Sequence, residues 1–283
     1  MTRFAVAVVL SVVALAPLHL SAADPAPLRF TFTAGQTLSY RVLQTTTVTE
    51  TTLDEQTKMP LLTTTVTKLT SGKTWAVKDA PATGGATLEL TITSMKQEVT
   101  QTVGDKKPIV QTLDSAVPDD AKAMTYLNRP VVTVTLDASG AVTAAKSGNP
   151  HAGDRLRAEL PFRVTLPATP PAVNGTWDRA FELKLPPPLG TGEKFDATQK
   201  FTFRGAKDGF AVIGLTTALK EPPTDVSLMP GVVPMLWEGD VFVNTKTGRY
   251  HGAKLKVNKE VPNHQGDGTK LAYRSEYTEA ADK

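Results

Sequence analysis

Through most of the chain apolar and polar residues alternate one for one. The clearest case is Val131-Val132-Thr133-Val134-Thr135-Leu136, which runs into Asp137-Ala138-Ser139-Gly140 and returns through Ala141, Val142 and Thr143. β-branched residues at period two suit a half-buried pleated surface. The Asp side chain can bond amides two or three residues on, and Gly takes the left-handed conformation that closes a tight reversal. The same grammar recurs at Asn244-Thr245-Lys246-Thr247-Gly248 and at Ala206-Lys207-Asp208-Gly209. Antiparallel hairpins are therefore the expected unit, and the expected fold class is all-β: a strongly curved sheet or open β-barrel.

Further strands follow from the same alternation. Leu28-Arg29-Phe30-Thr31-Phe32 and Leu38-Ser39-Tyr40-Arg41-Val42 flank an Ala34-Gly35-Gln36 turn and read as a first hairpin. Thr45-Thr46-Thr47-Val48-Thr49 and Thr63-Thr64-Thr65-Val66-Thr67 read as long strands with a solvated hydroxyl face. Residues 73–77, 86–102, 109–113, 181–185, 194–204, 210–219, 241–243, 250–257 and 271–277 continue the pattern. Two short helices interrupt it. One opens at Pro118 with Asp119 and Asp120 complementing the helix dipole and stops at Arg129-Pro130; the other runs over residues 153–160, up to Pro161. Pro161, Pro167, Pro170 and Pro171 then break regular structure, so the mature chain divides into an N-terminal half, residues 24–170, and a C-terminal half, residues 171–283, sharing one sheet.

Composition adds a compartment. Arg3, an apolar run over residues 4–18 and the small residues Ser21-Ala22-Ala23 have the layout of a signal peptide spanning residues 1–23, too short for a transmembrane helix. The chain has no cysteine, which removes disulfides, thiolate chemistry and bacterial lipid attachment, and favours an exported protein of a bacterial periplasm or cell envelope. With 31 basic and 28 acidic residues the net charge is +3, and no basic run exceeds Lys106-Lys107. A nucleic-acid groove needs clustered Lys and Arg, so no nucleic-acid partner is expected.

Catalytic patterns are sparse. There is no Gly-x-Ser-x-Gly elbow, no phosphate loop and no pair of histidines at metal-ligand spacing, so neither cofactor nor metal is expected. Asp114, Asp119 and Asp120 gather near one helix start, where capping explains them as well as acid–base chemistry or calcium would. His264-Gln265-Gly266-Asp267-Gly268 reads as a solvated hairpin tip. A hydrolase assembled from distant residues such as Asp114, Asp119 or His151 stands as a third reading of function.

One stretch invites a site. Residues 226–237 are apolar, and Pro230, Gly231 and Pro234 keep them from forming a long helix or a central strand. Leu228, Met229, Val232, Val233, Met235, Leu236 and Trp237 would form an adaptable lip over a hydrophobic ligand. The competing reading is a packed loop that plugs the core.

The segments 32–40 (Phe-Thr-Ala-Gly-Gln-Thr-Leu-Ser-Tyr), Asp114-Ser115, 134–142, Leu160-Pro161 and Asn174-Gly175-Thr176-Trp177 together resemble an uncharacterised family of exported bacterial β-rich proteins. That resemblance implies export and a mostly β fold. More distantly, the plan is similar to the open half-barrels of periplasmic lipoprotein carriers and lipid-binding lipoproteins. The expected function is a non-enzymatic envelope protein that binds a lipid or other apolar molecule. The alternative is a structural protein of the envelope that binds a protein partner.

Overall fold

The computed structural model describes residues 28–282 except 55, 149 and 188, and leaves aside the side chains of Pro150 and His151. The expected signal peptide, residues 1–23, lies outside the described residues. Among the described residues there are twelve strands: β1 (Thr37–Leu53), β2 (Pro60–Asp79), β3 (Ala86–Val103), β4 (Ile109–Asp114), β5 (Pro130–Leu136), β6 (Val142–Ser147), β7 (Thr176–Leu185), β8 (Glu193–Lys207), β9 (Phe210–Leu219), β10 (Glu238–Asn244), β11 (Tyr250–Pro262) and β12 (Lys270–Ala281). They form one curved antiparallel sheet in the order β6-β5-β3-β2-β1-β12-β11-β10-β9-β8-β7, with β4 added beside β3. The sheet is open, because β6 and β7 end the order without meeting. Strands drawn from before and after residue 170 occupy separate halves, joined where β1 pairs β12 from Tyr40↔Ala281 to Thr51↔Lys270.

The turns work as their residues dictate. Asp137 Oδ1 accepts from the amides of Ser139 at 2.8 Å and Ala141 at 3.0 Å, and Gly140 takes a φ of 90°. Asn244 Oδ1 does the same for Lys246 and Thr247 at 3.0 and 2.9 Å. Asp208 and Gly209 both have positive φ, 53° and 83°, which sets the two-residue reversal between β8 and β9. The threonine tracts lie in β1 and β2, and Thr63 to Thr67 belong to one continuous strand with Trp75, bulged at Gly72/Lys73.

One face of the sheet carries the core. Tyr40, Trp75, Leu88, Val134, Phe201, Ile213, Val241, Leu255 and Tyr277 all point to it and are buried. Residues 160–166 lie across this face and drive Phe162 into an aromatic cluster, with ring centroids 5.2 Å from Tyr250, 5.5 Å from Phe30 and 6.2 Å from Trp75. The proline-broken stretch is thus a plug of the concave side, and burial of Phe162, Val164 and Leu166 holds it there.

Three short helices occur among the described residues, where the alternation suggests two. α1 (Pro118–Ala123) ends before Met124, which is buried beyond it. α2 (Pro150–Glu159) stops as Leu160 turns left-handed at φ 63° and Pro161 follows. The additional α3 (Met229–Val232) sits between two 3-10 turns, Val226–Leu228 and Val233–Met235. Pro230 and Pro234 fall in the first turn of such short pieces, where a missing N–H breaks no helical bond.

Residues 28–32 correct the expected first hairpin. They keep their alternation, Phe30 buried between exposed Arg29 and Thr31, but form no strand. Phe30 packs on Phe162, and Thr31 donates to Gly248 O at 3.1 Å, so the segment closes one end of the core instead of pairing with β1.

Candidate functional site

β7 ends the sheet, and its core-facing row reads Trp177, Arg179, Phe181, Leu183, Leu185. Leu183 and Leu185 are buried in a small cluster with Ala197, Val232 and Leu236. Farther along the row, α2 packs beside β7 without sealing it, and the α3 segment closes the other end. The result is a cleft of about 720 Å³, within the roughly 300–1,000 Å³ usual for sites that hold one small organic molecule. Its apolar wall comes from Val142, Phe181, Leu185, Leu189, Pro234 and Met235.

The charged residues of the cleft are not equivalent. Lys194 pairs with Glu182 at 3.0 Å, Arg155 with Glu159 at 3.0 Å, and Asp154 faces both Arg157 at 3.5 Å and Lys184 at 3.8 Å. Arg179 has no carboxylate partner among the described residues. Its Nη1 donates to Ala158 O at 2.9 Å and to Gln199 Oε1 at 2.7 Å, and its Nη2 donates to Arg157 O. The guanidinium lies over Phe181, 4.9 Å from the ring centroid. Burial with only neutral partners brings its pKa down to about 10.

Beside the cleft, under the plug, lies a largely buried polar network. Burial raises the pKa of Glu159, but the adjacent Arg163 and Arg155 guanidiniums outweigh that and hold it below its ordinary value. Arg163 pairs with Glu159 and stacks over Tyr277 at 4.8 Å. Glu279 accepts from the hydroxyls of Tyr250, at 3.0 Å, and Tyr277. Burial and the Glu279 carboxylate push both phenols well above their usual range. Arg155 opens onto the cleft, whereas Glu159, Tyr250, Tyr277 and Glu279 are buried and, with the largely buried Arg163, brace plug and sheet.

The seven residues expected to form an apolar lip divide between core and cleft. Val232, Val233, Leu236 and Trp237 are buried, with the Trp237 ring 5.7 Å from Tyr277. Leu228 and Met229 are half-buried and pack against the two core clusters. Met235, with neighbouring Gly231 and Pro234, lines the cleft. The segment therefore plugs on its inner side and forms a wall on its outer side.

The carboxylates near α1 do not converge on a common point. Asp114 pairs with Lys96 at 2.9 Å, Asp119 with Lys122 at 3.2 Å, and Asp120 accepts from the Asp114 amide at 2.8 Å. The side chain of His151 lies outside the described residues. No group of three His, Asp or Glu residues suited to a metal occurs among the described residues. His264 is buried rather than solvated, because its turn folds onto β1 and sets Nε2 2.8 Å from Glu50 Oε1.

Arg179, Phe181 and Leu189 were not singled out in the sequence, although a signal was present. In the alternating run over residues 177–185, Arg179 is the one charge on the apolar face.

The chain matches no protein-family model and no curated protein. Among solved structures it is similar to one describing lipid–protein interactions in lipovitellin, at 11% identity and a TM-score of 0.48, over 89% of this chain and 26% of that one. The chain thus spans about a quarter of the length of the structure it matches.

Proposed function

We propose that the chain is a non-enzymatic binding protein of the exported bacterial compartment, taking a lipid or other apolar small molecule into the cleft between α2, β7 and the α3 segment. The observation that carries this reading is the apolar cleft of about 720 Å³ at the open end of the sheet. An apolar wall interrupted by a few fixed polar groups is how small-molecule sites gain affinity and orientation. The test is displacement of a neutral fluorescent apolar probe from the purified protein. Binding that is saturable, of unit stoichiometry and lost in Phe181→Glu and Met235→Glu supports the reading. Absence of binding by folded protein sinks it.

A second reading rests on the far end of the sheet. Among the described residues β4 pairs only β3, and its Ile109 and Val110 are 62% and 58% exposed. A free edge with apolar side chains suits strand addition by an envelope protein partner. Ile109→Lys would abolish capture of such a partner in a cross-linking experiment and leave probe binding in the cleft unchanged.

A further inference from the structure

We propose that the cleft selects a single-chain amphiphile with an anionic head, and that Arg179 is the residue that reads the head. This rests on the cleft being a binding site and assigns its ligand class.

The argument begins with charge. The cleft is lined by five cationic side chains, Arg155, Arg157, Arg179, Lys184 and Lys194, against two acidic ones, Asp154 and Glu182. Four of the cations already face a carboxylate. Arg179 faces the last carbonyls of α2 and the Gln199 amide oxygen. The partial negative charge of a helix end offsets about half of a full charge. A partly buried guanidinium is thus left with uncompensated charge. Its Nε carries no hydrogen bond to any described residue, and an incoming oxyanion would supply both the missing charge and an acceptor.

Position turns this into a specificity. Of the β7 row, Arg179 is at one end of the part that lines the cleft, and Leu185, with Leu189, Gly231, Pro234 and Met235, is at the other. The strand advances about 3.3 Å per residue, so the distance from Arg179 to Leu185 is about 20 Å, the length of a long extended acyl chain. Phe181 lies between them, its ring under the guanidinium, and continues the apolar wall up to the charge. Head and tail are therefore recognised at opposite ends of one trough. A neutral tail-matched molecule would leave the charge of Arg179 uncompensated, and a cationic one would be repelled.

The experiment compares hexadecanoate and hexadecyl phosphate with hexadecanol and hexadecyltrimethylammonium as competitors of a neutral probe, on the full purified protein. Either anion should bind at least about tenfold more tightly than the alcohol, the yield of one charge-assisted hydrogen bond. Arg179→Gln should erase that preference, bringing either anion to within about twofold of the alcohol in the same variant. Because Arg179 also holds the end of α2, Arg179→Lys and a salt titration of the unmutated protein provide independent checks. The lysine variant should keep part of the preference, and rising salt should weaken anion binding alone. Equal affinity for acid and alcohol, or a preference that survives Arg179→Gln, overturns the assignment of the head while leaving the cleft as a site. Failure of all four molecules to compete with a bound probe overturns the ligand class. Failure of the probe itself to bind overturns the underlying reading too.

Discussion

Lys73 on β2 sets its Nζ 2.6 Å from Oε1 of Glu279 on β12, across the intervening β1, and the Glu279 side chain has no exposed surface. The pair is ionic through Oε1, while Oε2 takes the two tyrosine hydroxyls. Removing one member of a buried pair leaves the other charge uncompensated. Lys73→Met should therefore destabilise the fold by about 3–5 kcal/mol in urea unfolding, whereas Lys73→Met combined with Glu279→Gln should recover a substantial part. A double variant as unstable as the single one would mean the pair contributes little through charge.

Phe162 fills the concave face from a segment that has no regular structure. Phe162→Ala should cost about 3–5 kcal/mol, with the far-ultraviolet spectrum of the sheet retained at low denaturant. A loss below about 1 kcal/mol would show that the plug collapses to fill the space.

Gly140 sits at φ 90°, and a Cβ there would lie 2.5 Å from Phe30 Cε2. Gly140→Ala must strain the backbone and displace the ring that closes one end of the core, at about 1–3 kcal/mol. Thermal unfolding should show a lower midpoint for Gly140→Ala than for Gly209→Ala, whose added Cβ meets nothing within 4 Å.

Acid should loosen the plug through Glu159. Its folded pKa lies below its ordinary value of 4.5, so its ion pairs with Arg155 and Arg163 contribute fully above that pH and are lost as pH falls through the depressed value. Stability measured from neutral pH down should fall in this acid range, and Glu159→Gln should flatten that part of the profile. An unchanged profile would assign the acid sensitivity to other carboxylates.

The hairpins were legible because their turns are local: Asp137 with Gly140, and Asn244 with Gly248, satisfy their own amides whatever surrounds them. Strand alternation carried the rest of the sheet. It failed at residues 28–32, since the period of two reports which side chains are buried and not whether the backbone finds a partner. Phe162 was invisible for the converse reason: prolines mark where regular structure stops, yet an irregular segment buries side chains as deeply as a strand. The cleft draws on β7, α2 and the α3 segment together, and only Met235 among the expected lip residues reaches it. Arg179 stood in plain view as the charged member of an apolar row.

The pairing of β1 with β12 sets the order of events during synthesis. Tyr40 finds Ala281, and Thr51 finds Lys270, so the middle of the sheet cannot be assembled until residues 270–281 have been made. Local hairpins such as β5–β6 and β8–β9 need no such wait, but β1 keeps one backbone edge unsatisfied until β12 has been made. Contacts this distant in sequence fold slowly, and a waiting edge invites pairing with other chains. The hydroxyl-rich tracts of β1 and β2 give that edge a hydrated rather than apolar border, which makes a long-lived unfinished sheet less adhesive to its neighbours.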